Sequence, residues 1–517
     1  MKLTIIGAGP GGYETAVAAA RQGIEVTIIS DGPVGGTCLN EGCIPTKTFC
    51  RNAELLEDLQ KGEVFGLEGL QYTFDFHKVI ERKNDVVGQL RSGVEFLLGG
   101  KNITLVQGRA ALKDAHTVVV DGTDYVSDYI LLATGSYSAS LPIPGKDLPG
   151  VITSKEILNL EEVPERLCII GAGVIGLEFA SIFKSFGSQV TVVEFCKNIL
   201  PRFDTDLAKR LKQTLSKRGI DIQLSAQVQR IEEVPDNGAS EVTDSDKKPV
   251  LRVTYTQKDK EFSVEADKVL MAVGRRPNVQ SLDLDALGIV YSPKGIVVDK
   301  DMRTNVPSIF AIGDVTGGLM LAHVATFQGL KALSALMKEN GLVPEVDGDK
   351  IDLSIVPAAV FTNPEAAIIG LSEDDCKDKG IPVKVLKSFF RANGKALSMD
   401  EPDGFCKIIV ADSSKLKTVA ATHSETQSDS HPTLPSAASS EAVPTSVTGP
   451  ASGPDVLSQF GLQEGQILGC HLFGAHAADL IQEVSVLMNQ HGNLADFRSV
   501  IHAHPTLGEV VQSALHS

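Results

Sequence analysis

The chain has 517 residues, of which 43% are hydrophobic and 22% are charged, and it contains 48 glycines. This length exceeds a single ordinary core and predicts three or four domains of roughly 100 to 150 residues each, while the composition excludes a disordered or fibrous protein for most of the chain. A formal net charge of -17 argues against a nucleic-acid-binding protein, because phosphate contacts require clustered Lys and Arg.

The first predicted element is a strand at Leu3 to Ile6. It begins without the charged segment and cleavage site of a signal peptide, and no apolar run in the chain approaches the roughly 20 residues that cross a bilayer. We therefore expect a cytoplasmic protein. In a reducing compartment the eight cysteines are not a disulfide framework, and a closely spaced pair is more typical of catalysis or metal binding.

A glycine motif made of Gly7, Gly9 and Gly12 lies between this strand and a predicted helix. Backbone N–H groups at such a helix N-terminus can approach a pyrophosphate, which indicates a dinucleotide site. The acid that would bind a ribose is expected 18 residues after Gly12, but Ser30 stands there, with Asp31 beside it. We expect Asp31, or the hydroxyl of Ser30, to take over the ribose contact.

The next segment contains two closely spaced cysteines, Cys38 and Cys43, followed by Lys47. In an ideal helix, residues five apart have Cα atoms roughly 8.5 Å apart, which exceeds the usual range of a disulfide, so a bridge would have to distort the helix. A strained, accessible disulfide is the labile, catalytic kind, and Lys47 could lower the pKa of a thiolate and hold an electron-rich cofactor. A zinc site is disfavoured, because no second Cys or His pair stands nearby at metal-ligand spacing.

A second strand, glycine turn and helix unit extends from Arg166 to Glu194, with Gly171, Gly173 and Gly176 in its turn. Here the expected acid is present, because Glu194 ends the following strand. A carboxylate in this position hydrogen-bonds the ribose hydroxyls and repels a 2′-phosphate, so NAD(H) is favoured over NADP(H). The alternative is that both glycine turns are purely structural, but the duplication indicates two bound dinucleotides.

Further along, an apolar strand beginning near Thr304 leads into Gly313 and Asp314. A carboxylate held at the end of such a strand can bind a ribityl or ribose hydroxyl, although Gly-Asp also makes ordinary turns. Strands and helices then follow in irregular order, which predicts an α+β domain at the C-terminus. The strands are expected at Ile351 to Val360, Val383 to Phe389 and Phe405 to Val410, and the helices at Ala478 to Met488 and Thr506 to Ala514.

Between Ser413 and Glu464 the composition turns to Ser, Thr, Ala and Pro. Such a stretch cannot bury enough apolar surface to offset its ordering entropy, so we predict a largely disordered loop. Strand-like flanks at Phe405 to Asp412 and Gln466 to His471 indicate that it connects two antiparallel strands. A tolerated surface insertion is the simpler interpretation, and a tether that binds a partner is the alternative.

Near the end of the chain, His504 and Glu509 could bring an imidazole close to a carboxylate. That combination of a base and an orienting group deprotonates thiols. The alternative is a surface histidine beside an unrelated helix glutamate. His323, His471 and His476 are candidates by residue type, but each lacks an obvious carboxylate companion, so a structural role is expected for them.

Together the two glycine motifs, the segment from Gly35 to Lys47 and the pair His504 and Glu509 resemble the pyridine nucleotide-disulfide oxidoreductases, and among them the dihydrolipoamide dehydrogenases. The resemblance covers essentially the whole chain outside the Ser413 to Glu464 loop. It implies an α/β fold with two Rossmann-like dinucleotide-binding domains, for FAD and NAD, and a C-terminal α+β dimerisation domain. The implied domains are 1–142 (FAD-binding), 143–271 (NAD-binding), 272–345 (central, completing the FAD site) and 346–517 (interface, with an insert at about 413–464).

The resemblance also implies roles for individual residues. Cys38 would be the sulfur that the substrate thiolate attacks, Cys43 the sulfur next to the flavin, and His504 the base oriented by Glu509. Glu178 would be the partner of Lys47. The implied FAD contacts are Gly7, Gly9, Gly12, Ser30, Asp31, Thr37, Lys47, Ala110, Thr134, Gly135, Ser136, Asp314, Met320, Leu321, Ala322 and His323, and the implied NAD contacts are Gly171, Gly173, Gly176, Glu194, Val228 and Gly274.

The implied reaction is the oxidation of dihydrolipoamide on a lipoyl carrier domain, with NAD+ as the acceptor. The implied partners are a second copy of the chain, whose histidine serves the disulfide of the first, and a 2-oxo acid dehydrogenase complex or the glycine cleavage system. A glutathione-type reductase is disfavoured by Glu194, and a mercuric reductase by the lack of a cysteine pair in Val510 to Ser517. An NADH oxidase would not need both cysteines, and a scaffold that docks through the loop is the non-enzymatic alternative.

Overall fold

The structure, a computed structural model, describes residues 1–235, 250–280, 282–415 and 457–517. Most of the predicted loop between Ser413 and Glu464 therefore lies outside the described residues. In chain order the helices are α1 (Pro10–Arg21), α2 (Gly36–Glu41), α3 (Cys43–Gln60), α4 (Phe76–Leu98), α5 (Val174–Ser185), α6 (Thr205–Lys217), α7 (Ala322–Glu339), α8 (Glu373–Asp378), α9 (Gly394–Ser398), α10 (Ala477–Asn489), α11 (Leu494–Arg498) and α12 (Glu509–Leu515).

The strands of the described residues are two to nine residues long. In chain order they are β1 (Lys2–Ile6), β2 (Glu25–Ser30), β3 (Ile103–Gln107), β4 (Ala110–Leu112), β5 (Thr117–Val120), β6 (Thr123–Val126), β7 (Tyr129–Leu132), β8 (Ser136–Ser138), β9 (Val151–Ile152), β10 (Arg166–Ile170), β11 (Gln189–Val193), β12 (Asp221–Gln223), β13 (Ala226–Val234), β14 (Val250–Gln257), β15 (Lys260–Ala266), β16 (Lys268–Met271), β17 (Arg275–Pro277), β18 (Tyr291–Ser292), β19 (Gly295–Ile296), β20 (Ile309–Ala311), β21 (Ala358–Val360), β22 (Glu365–Gly370), β23 (Val383–Phe389), β24 (Phe405–Ala411) and β25 (Ile467–Gly474).

The chain forms two compact units. The first contains Met1–Arg202, Ala208–Val356 and Val360–Asn363, and the second contains Phe203–Leu207, Pro357–Ala359 and Pro364–Ser517. Within the described part of the chain, no helix has the length and apolar character needed to span a membrane.

In the first unit, one parallel sheet has the strand order β20-β7-β1-β2-β3. Its central strands are rich in Ile, Leu and Val because both faces are covered, one by α1, α4 and α7 and the other by β4 and β5. Ile5, Ile28 and Ile130 are fully buried. The edge strand β20 comes from a much later part of the sequence than its neighbours. Residues near 310 therefore end at the same carboxyl edge of the sheet as Ile6 and Ser30, where ligands bind in open α/β sheets.

A second parallel sheet in the same unit has the order β12-β11-β10-β16-β9. It repeats the arrangement of the first sheet, with α5 following β10 as α1 follows β1. Two three-stranded antiparallel sheets, β4-β5-β6 and β13-β14-β15, accompany the parallel sheets. The two glycine turns predicted from the sequence are therefore the first turns of two separate nucleotide-binding folds.

An aromatic cluster packs α3 and α4 against the end of α5. The ring centroids of Phe49 and Phe186 are 5.9 Å apart, and Phe76 lies 6.2 Å from Phe49 and 6.5 Å from Phe183. Edge-to-face contacts of this kind add about 0.5–1.5 kcal/mol each beyond simple burial. The cluster fixes α3 relative to α5, and these two helices carry the residues discussed below.

The second unit contains a five-stranded sheet with the order β21-β22-β25-β24-β23. Strands β24 and β25 pair in antiparallel fashion, with Cys406 opposite Leu472, which confirms the prediction that the 413–464 segment connects two antiparallel strands. The predicted strands at Val383 to Phe389 and Phe405 to Val410 are also confirmed, and α10 matches the predicted helix at Ala478 to Met488.

The predicted strand at Ile351 to Val360 is mostly wrong. Only Ala358–Val360 is a strand, and the preceding residues form turns. The carboxylate of Asp352 accepts hydrogen bonds from the backbone N–H (2.8 Å) and the hydroxyl (2.6 Å) of Ser354. This local arrangement competes with strand pairing, and Pro357 cannot donate to a ladder. The final helix also begins later than predicted, at Glu509.

The glycine turn of the second nucleotide-binding fold allows a direct test of its packing. A methyl group on Gly176 would lie 2.0 Å from the carbonyl oxygen of Gly171, whereas one on Gly173 would meet no atom within 4 Å. We expect Gly176→Ala to destabilise the protein by about 1–3 kcal/mol, as overpacking does, and Gly173→Ala to stay within about 0.5 kcal/mol of the parent. Differential scanning calorimetry of both variants measures the difference, and equal melting temperatures would contradict this account.

Candidate active site

The two closely spaced cysteines lie on either side of a break between two helices. Cys38 is in α2, and Cys43 is the first residue of α3. Gly42 separates them with φ -143° and ψ -108°, outside the helical region, and a methyl group there would lie 3.0 Å from the carbonyl oxygen of Thr37. The helix distortion predicted for a bridged pair is therefore present, and both cysteines are free thiols in the structure.

The two sulfurs are hydrogen-bonded to each other, and this contact makes the pair asymmetric. The hydrogen bond from Cys38, reinforced by the positive charge of Lys47 against the effect of burial, lowers the pKa of Cys43 to about 7. The same hydrogen bond, together with burial, raises the pKa of Cys38. When the pair loses one proton, the negative charge therefore resides mainly on Cys43 and the remaining proton on Cys38.

Lys47 lies one turn after Cys43 on α3 and forms an ion pair with Glu178 of α5. Its Nζ is 2.9 Å and 3.0 Å from the two carboxylate oxygens. Glu178 is only 3% exposed, and a buried carboxylate requires such a partner. Burial opposes the charge of Lys47, but the attraction of Glu178 outweighs it and raises the pKa of Lys47. The structure thus joins these two residues, which are 131 positions apart.

Phe361 completes this ion pair, although the sequence did not suggest it. The centroid of its ring lies 4.3 Å from Nζ of Lys47, and its backbone N–H donates to Oε1 of Glu178 at 3.0 Å. Phe361 is 183 positions from Glu178. It directly follows the short strand β21, and nothing in its local sequence marks it as a partner of the lysine. Only the tertiary fold reveals its contact with the lysine.

The first glycine turn packs too closely for side chains. Gly7 has φ +108°, and a methyl group there would lie 2.2 Å from the carbonyl oxygen of Ala133, while one on Gly12 would lie 1.9 Å from the carbonyl oxygen of Gly7. A methyl group on Gly36 of α2 would lie 2.6 Å from Cα of Gly9. No side chain caps the N-terminus of α1. This bare helix N-terminus fits the pyrophosphate of a dinucleotide.

Other predicted flavin contacts gather at the same carboxyl edge. Asp314, just after β20, accepts a hydrogen bond from the hydroxyl of Ser136 (2.5 Å) and lies 3.8 Å from Nε of Arg275. The N-terminus of α7, which the segment Met320 to His323 forms, likewise has no side-chain cap. Met320 and Leu321 are only partly buried, and His323 is exposed. A ligand that reaches from α1 to α7 would pass Asp314.

Ser30 and Asp31 differ in how they can receive a ribose. Ser30 ends β2, is 7% exposed and donates its hydroxyl proton to the carbonyl oxygen of Gly32 at 2.9 Å. Asp31 follows the strand and is exposed. Of the remaining predicted contacts, Ala110 is buried in β4. It lies near the end of β2, since Gly108, two residues before it, donates its N–H to the carbonyl oxygen of Ser30. Thr37 is exposed on α2.

In the second nucleotide-binding fold, the turn has the same shape. Gly171 has φ +107°, and Glu194 stands directly after β11 with 7% exposure. Its Oε2 accepts from the backbone N–H of Ala172 at 2.5 Å and its Oε1 accepts from that of Cys196 at 2.7 Å. The carboxylate is therefore fixed beside the glycine turn. Gly274, after β16, has φ +108°.

A cavity of about 650 Å³ lies beside the residues that follow Glu194. Phe195 at its wall is 71% exposed, and Lys197 and Lys258 also line it. Val228, predicted to contact NAD, is buried in β13 next to the lining residue Gln227. The cavity has the size of a small-molecule site, and it lies where the adenosine end of a dinucleotide would be expected.

The predicted histidine and glutamate meet in the second unit. Nδ1 of His504 is 2.9 Å from Oε1 of Glu509, the first residue of α12. The other oxygen of Glu509 accepts from the backbone N–H of Thr506 at 2.9 Å. The hydrogen bond with His504 lowers the pKa of Glu509. The carboxylate thus holds Nδ1 as the donor and leaves Nε2 of the exposed imidazole free to accept a proton.

The sequence overlooked two other histidine–carboxylate contacts. Nε2 of His502 lies 2.7 Å from Oε1 of Glu483, and the imidazole is only 8% exposed. Nδ1 of His476 lies 3.7 Å from Oδ2 of Asp479, so the expectation that His476 lacks a carboxylate companion is wrong. The spacing of three positions to Asp479 was a usable signal, because such residues are neighbours on a helix.

Comparison with known proteins places the chain in a family. Residues 1–329 match the sequence profile of the pyridine nucleotide-disulphide oxidoreductases, and residues 356–423 and 460–515 match that of their dimerisation domain. The chain belongs to the pyridine nucleotide-disulphide oxidoreductase family. The predicted α/β fold, with two dinucleotide-binding domains and a C-terminal dimerisation domain, is thereby confirmed.

Relatives within this oxidoreductase family align along nearly the whole chain. A dihydrolipoyl dehydrogenase from Chlamydia muridarum is 35% identical over 99% of this chain and 95% of its own length, and one from Geobacillus stearothermophilus is 34% identical over 99% and 94%. A solved structure, the HOCl-induced flavoprotein disulfide reductase RclA from Escherichia coli, is 28% identical with a TM-score of 0.76, and the match covers 100% of this chain and 99% of that one.

The pKa of Cys43 tests whether the positive charge of Lys47 stabilises the thiolate. We expect Lys47→Met to raise the pKa of Cys43 by about 1 unit or more, because it removes a positive charge and leaves the negative charge of Glu178 uncompensated. The measurement is the ultraviolet absorbance of the thiolate against pH in the reduced protein, with Cys43→Ser as the blank. Lys155→Met is the matched control, because Lys155 also pairs with a carboxylate, Glu41, at 2.6 Å, whereas the charges that shift the pKa of Cys43 are those of Lys47 and Glu178. An unchanged titration in Lys47→Met would refute this assignment.

Proposed function

We propose that this chain is an FAD-containing dihydrolipoyl dehydrogenase that oxidises dihydrolipoamide with NAD+ as the acceptor. The observation that carries the proposal is the asymmetric pair of Cys38 and Cys43, held beside Lys47 and Glu178. A thiol pair divided into a protonated and an ionised sulfur is suited to thiol–disulfide exchange. The naming of the 35%-identical relatives supports the choice of substrate.

The proposed thiol chemistry uses the cysteine pair and the pair of His504 and Glu509. Nε2 of His504, whose other nitrogen is held by Glu509, takes the proton of a substrate thiol. The substrate thiolate attacks Sγ of Cys38 in the oxidised pair, the Cys38–Cys43 bond breaks, and Cys43 departs as a thiolate. Its lowered pKa makes it a good leaving group.

The second half of the exchange closes the substrate disulfide. The remaining substrate thiol releases its proton to water, and its thiolate attacks the substrate sulfur that is bound to Cys38. Cys38 is then released and takes up the proton that His504 removed in the first step. Lys47 keeps its positive charge beside the Cys43 thiolate throughout. Overall, two electrons pass from the dithiol substrate to the cysteine pair, and the pair must then be reoxidised.

The first nucleotide-binding fold is suited to FAD. Gly7, Gly9 and Gly12 would hold the pyrophosphate at the N-terminus of α1, and Asp314 would contact the ribityl chain. Between the two candidates for the ribose contact we favour Asp31, because the hydroxyl proton of Ser30 already goes to the chain itself. Bound FAD would supply the two-electron carrier between the cysteine pair and the nicotinamide.

The second fold is suited to NAD+. Glu194 would accept hydrogen bonds from the ribose hydroxyls. Two backbone N–H groups fix its carboxylate, so its negative charge would repel the 2′-phosphate of NADP+. The glycine turn from Gly171 to Gly176 would approach the pyrophosphate. The related flavoprotein disulfide reductase from Escherichia coli supports a second candidate, a flavoprotein that reduces another disulfide, such as a glutathione-like one.

The match to the dimerisation domain supports a homodimer, in which we propose that His504 serves the cysteine pair of the other copy. We retain the division into regions 1–142, 143–271, 272–345 and 346–517. We further propose cytoplasmic residence, with a lipoyl domain of a 2-oxo acid dehydrogenase complex or of the glycine cleavage system as the substrate carrier.

Coenzyme preference tests the proposed reaction. We expect oxidation of dihydrolipoamide to be at least about 100-fold faster with NAD+ than with NADP+ at equal subsaturating concentrations, and Glu194→Ala to narrow that preference by about 10-fold, the usual weight of a charge-assisted hydrogen bond. Glu233→Ala, an exposed glutamate on β13, serves as the control. Faster turnover of NADPH with oxidised glutathione would overturn the substrate assignment.

The proposed role of His504 as the base is tested by measuring two reactions separately, the oxidation of dihydrolipoamide and the oxidation of NADH. We expect His504→Gln to lower kcat with dihydrolipoamide by about 10²- to 10⁴-fold, the usual contribution of a positioned general base, and to leave NADH oxidation by an artificial dye unchanged. His476→Gln removes another imidazole with a carboxylate neighbour and should leave both rates unchanged. Equal losses of both activities in His504→Gln would mean that the histidine has a structural role.

A further inference from the structure

Phe361 contacts both helices that carry the ion pair. Its ring lies 4.3 Å from Nζ of Lys47, within the range at which an aromatic face attracts a cation. Its N–H donates to Glu178 of α5, and its carbonyl oxygen accepts from Sγ of Cys50 of α3 at 3.4 Å. One residue therefore binds the cation, the anion and the helix on which Cys43 lies.

The residues after Phe361 fix its position. The backbone N–H of Asn363 donates to the hydroxyl of Ser181 on α5 at 3.3 Å. Its side-chain amide donates to Oε2 of Glu57 on α3 at 2.5 Å, and Glu57, which is 9% exposed, is also bound by Arg218. The segment is thus attached to α3 and to α5 at both of its ends.

Lys47 needs such support because its own helix constrains only the beginning of its side chain. Four rotatable bonds separate Nζ from the backbone, and the side chain is still 32% exposed. Glu178 binds the ammonium from one direction. The ring of Phe361 provides a further contact and reduces the number of positions that Nζ can occupy.

We propose that Phe361 is a positioning residue that holds Nζ of Lys47 between its aromatic face and the carboxylate of Glu178, and thereby fixes the distance from that positive charge to the sulfur of Cys43. The inference rests on the proposed function in one respect, that the thiolate of Cys43 is used in turnover. The competing explanation is that the ring only fills space. The positioning role depends on the π electrons of the Phe361 ring, which attract the cation. Space filling depends only on the volume of the ring.

Substitutions that separate volume from aromaticity distinguish these explanations. Phe361→Leu keeps an apolar side chain but has no aromatic face, and Phe361→Tyr keeps the face. A trifluorinated phenylalanine incorporated at position 361 keeps the shape and withdraws the electrons that attract a cation. Phe389→Leu is the matched control, because the Phe389 ring lies 4.9 Å from the guanidinium of Arg391 in the other unit.

The experiment uses the FAD-loaded protein with Cys38→Ser and follows thiolate absorbance against pH. Subtracting the same titration of the protein with both Cys38→Ser and Cys43→Ser isolates Cys43, and the parent protein is used for kcat and KM. We expect Phe361→Leu and the fluorinated residue to raise the pKa of Cys43 by about half a unit or more and to lower kcat about 3- to 30-fold, with KM within about twofold of the parent. Phe361→Tyr and Phe389→Leu should retain the parent values.

An unchanged titration and kcat in the fluorinated protein would overturn the proposal, and this protein decides the question even where Phe361→Leu loses flavin or fails to fold. The same shift in Phe389→Leu would also overturn it. If the parent protein does not oxidise dihydrolipoamide, the proposed function fails, but the titration of Cys43 still tests the role of Phe361.

Discussion

A carboxylate removed from water requires compensation, and Glu178 imposes this requirement on the first unit. It lies on the buried surface of α5 with 3% exposure, where an isolated negative charge would cost several kcal/mol. Lys47 of α3 and the backbone N–H of Phe361 provide the compensation. Because both donors must reach the same carboxylate, a shift of α3 along α5 would break the hydrogen bond between Lys47 and Glu178. Cys43, one turn before Lys47, acquires its position and its electrostatic environment from this contact.

The two glycine turns show which part of a dinucleotide site is general and which part is selective. In both, the first glycine has φ near +107° or +108°, and the third packs against the carbonyl oxygen of the first. These contacts would suit either dinucleotide. The difference lies at the end of the following strand, where one fold has Ser30 and the other has Glu194. The backbone shape of the glycine turn is common to both sites. The choice between dinucleotides therefore depends on single side chains at the strand ends.

Local patterns were sufficient to predict much of the fold. The glycine spacing and the buried Ile- and Val-rich strands identified both parallel sheets, and the spacing of Cys38 and Cys43 predicted a distorted helix because their distance in an ideal helix is a matter of geometry alone. The failure at Ile351 to Val360 has an equally local cause. An apolar run looked like a strand, but the carboxylate of Asp352 makes a turn within it.

The contacts that could not be predicted join residues far apart in the sequence. Phe361 reaches Glu178 across 183 positions and Arg275 reaches Ser136 across 139, so no window of sequence contains both partners. His504 and Glu509 could be paired because they are close in the chain, and His502 with Glu483 could not, because a turn and a short helix separate them. For inferences from the residues alone, the limit was therefore distance along the chain, and only the family resemblance paired Lys47 with Glu178 across 131 positions.

The break at Gly42 has a consequence for repeated turnover. Cys43 begins a helix of its own, so closing and opening a bond to Cys38 need not unwind α3. The hydrogen bond between the sulfurs also favours one arrangement of the singly ionised pair, with the proton on Cys38 and the charge on Cys43. Each reduction of the pair would then end with α3 intact and with the charge favoured on the same sulfur.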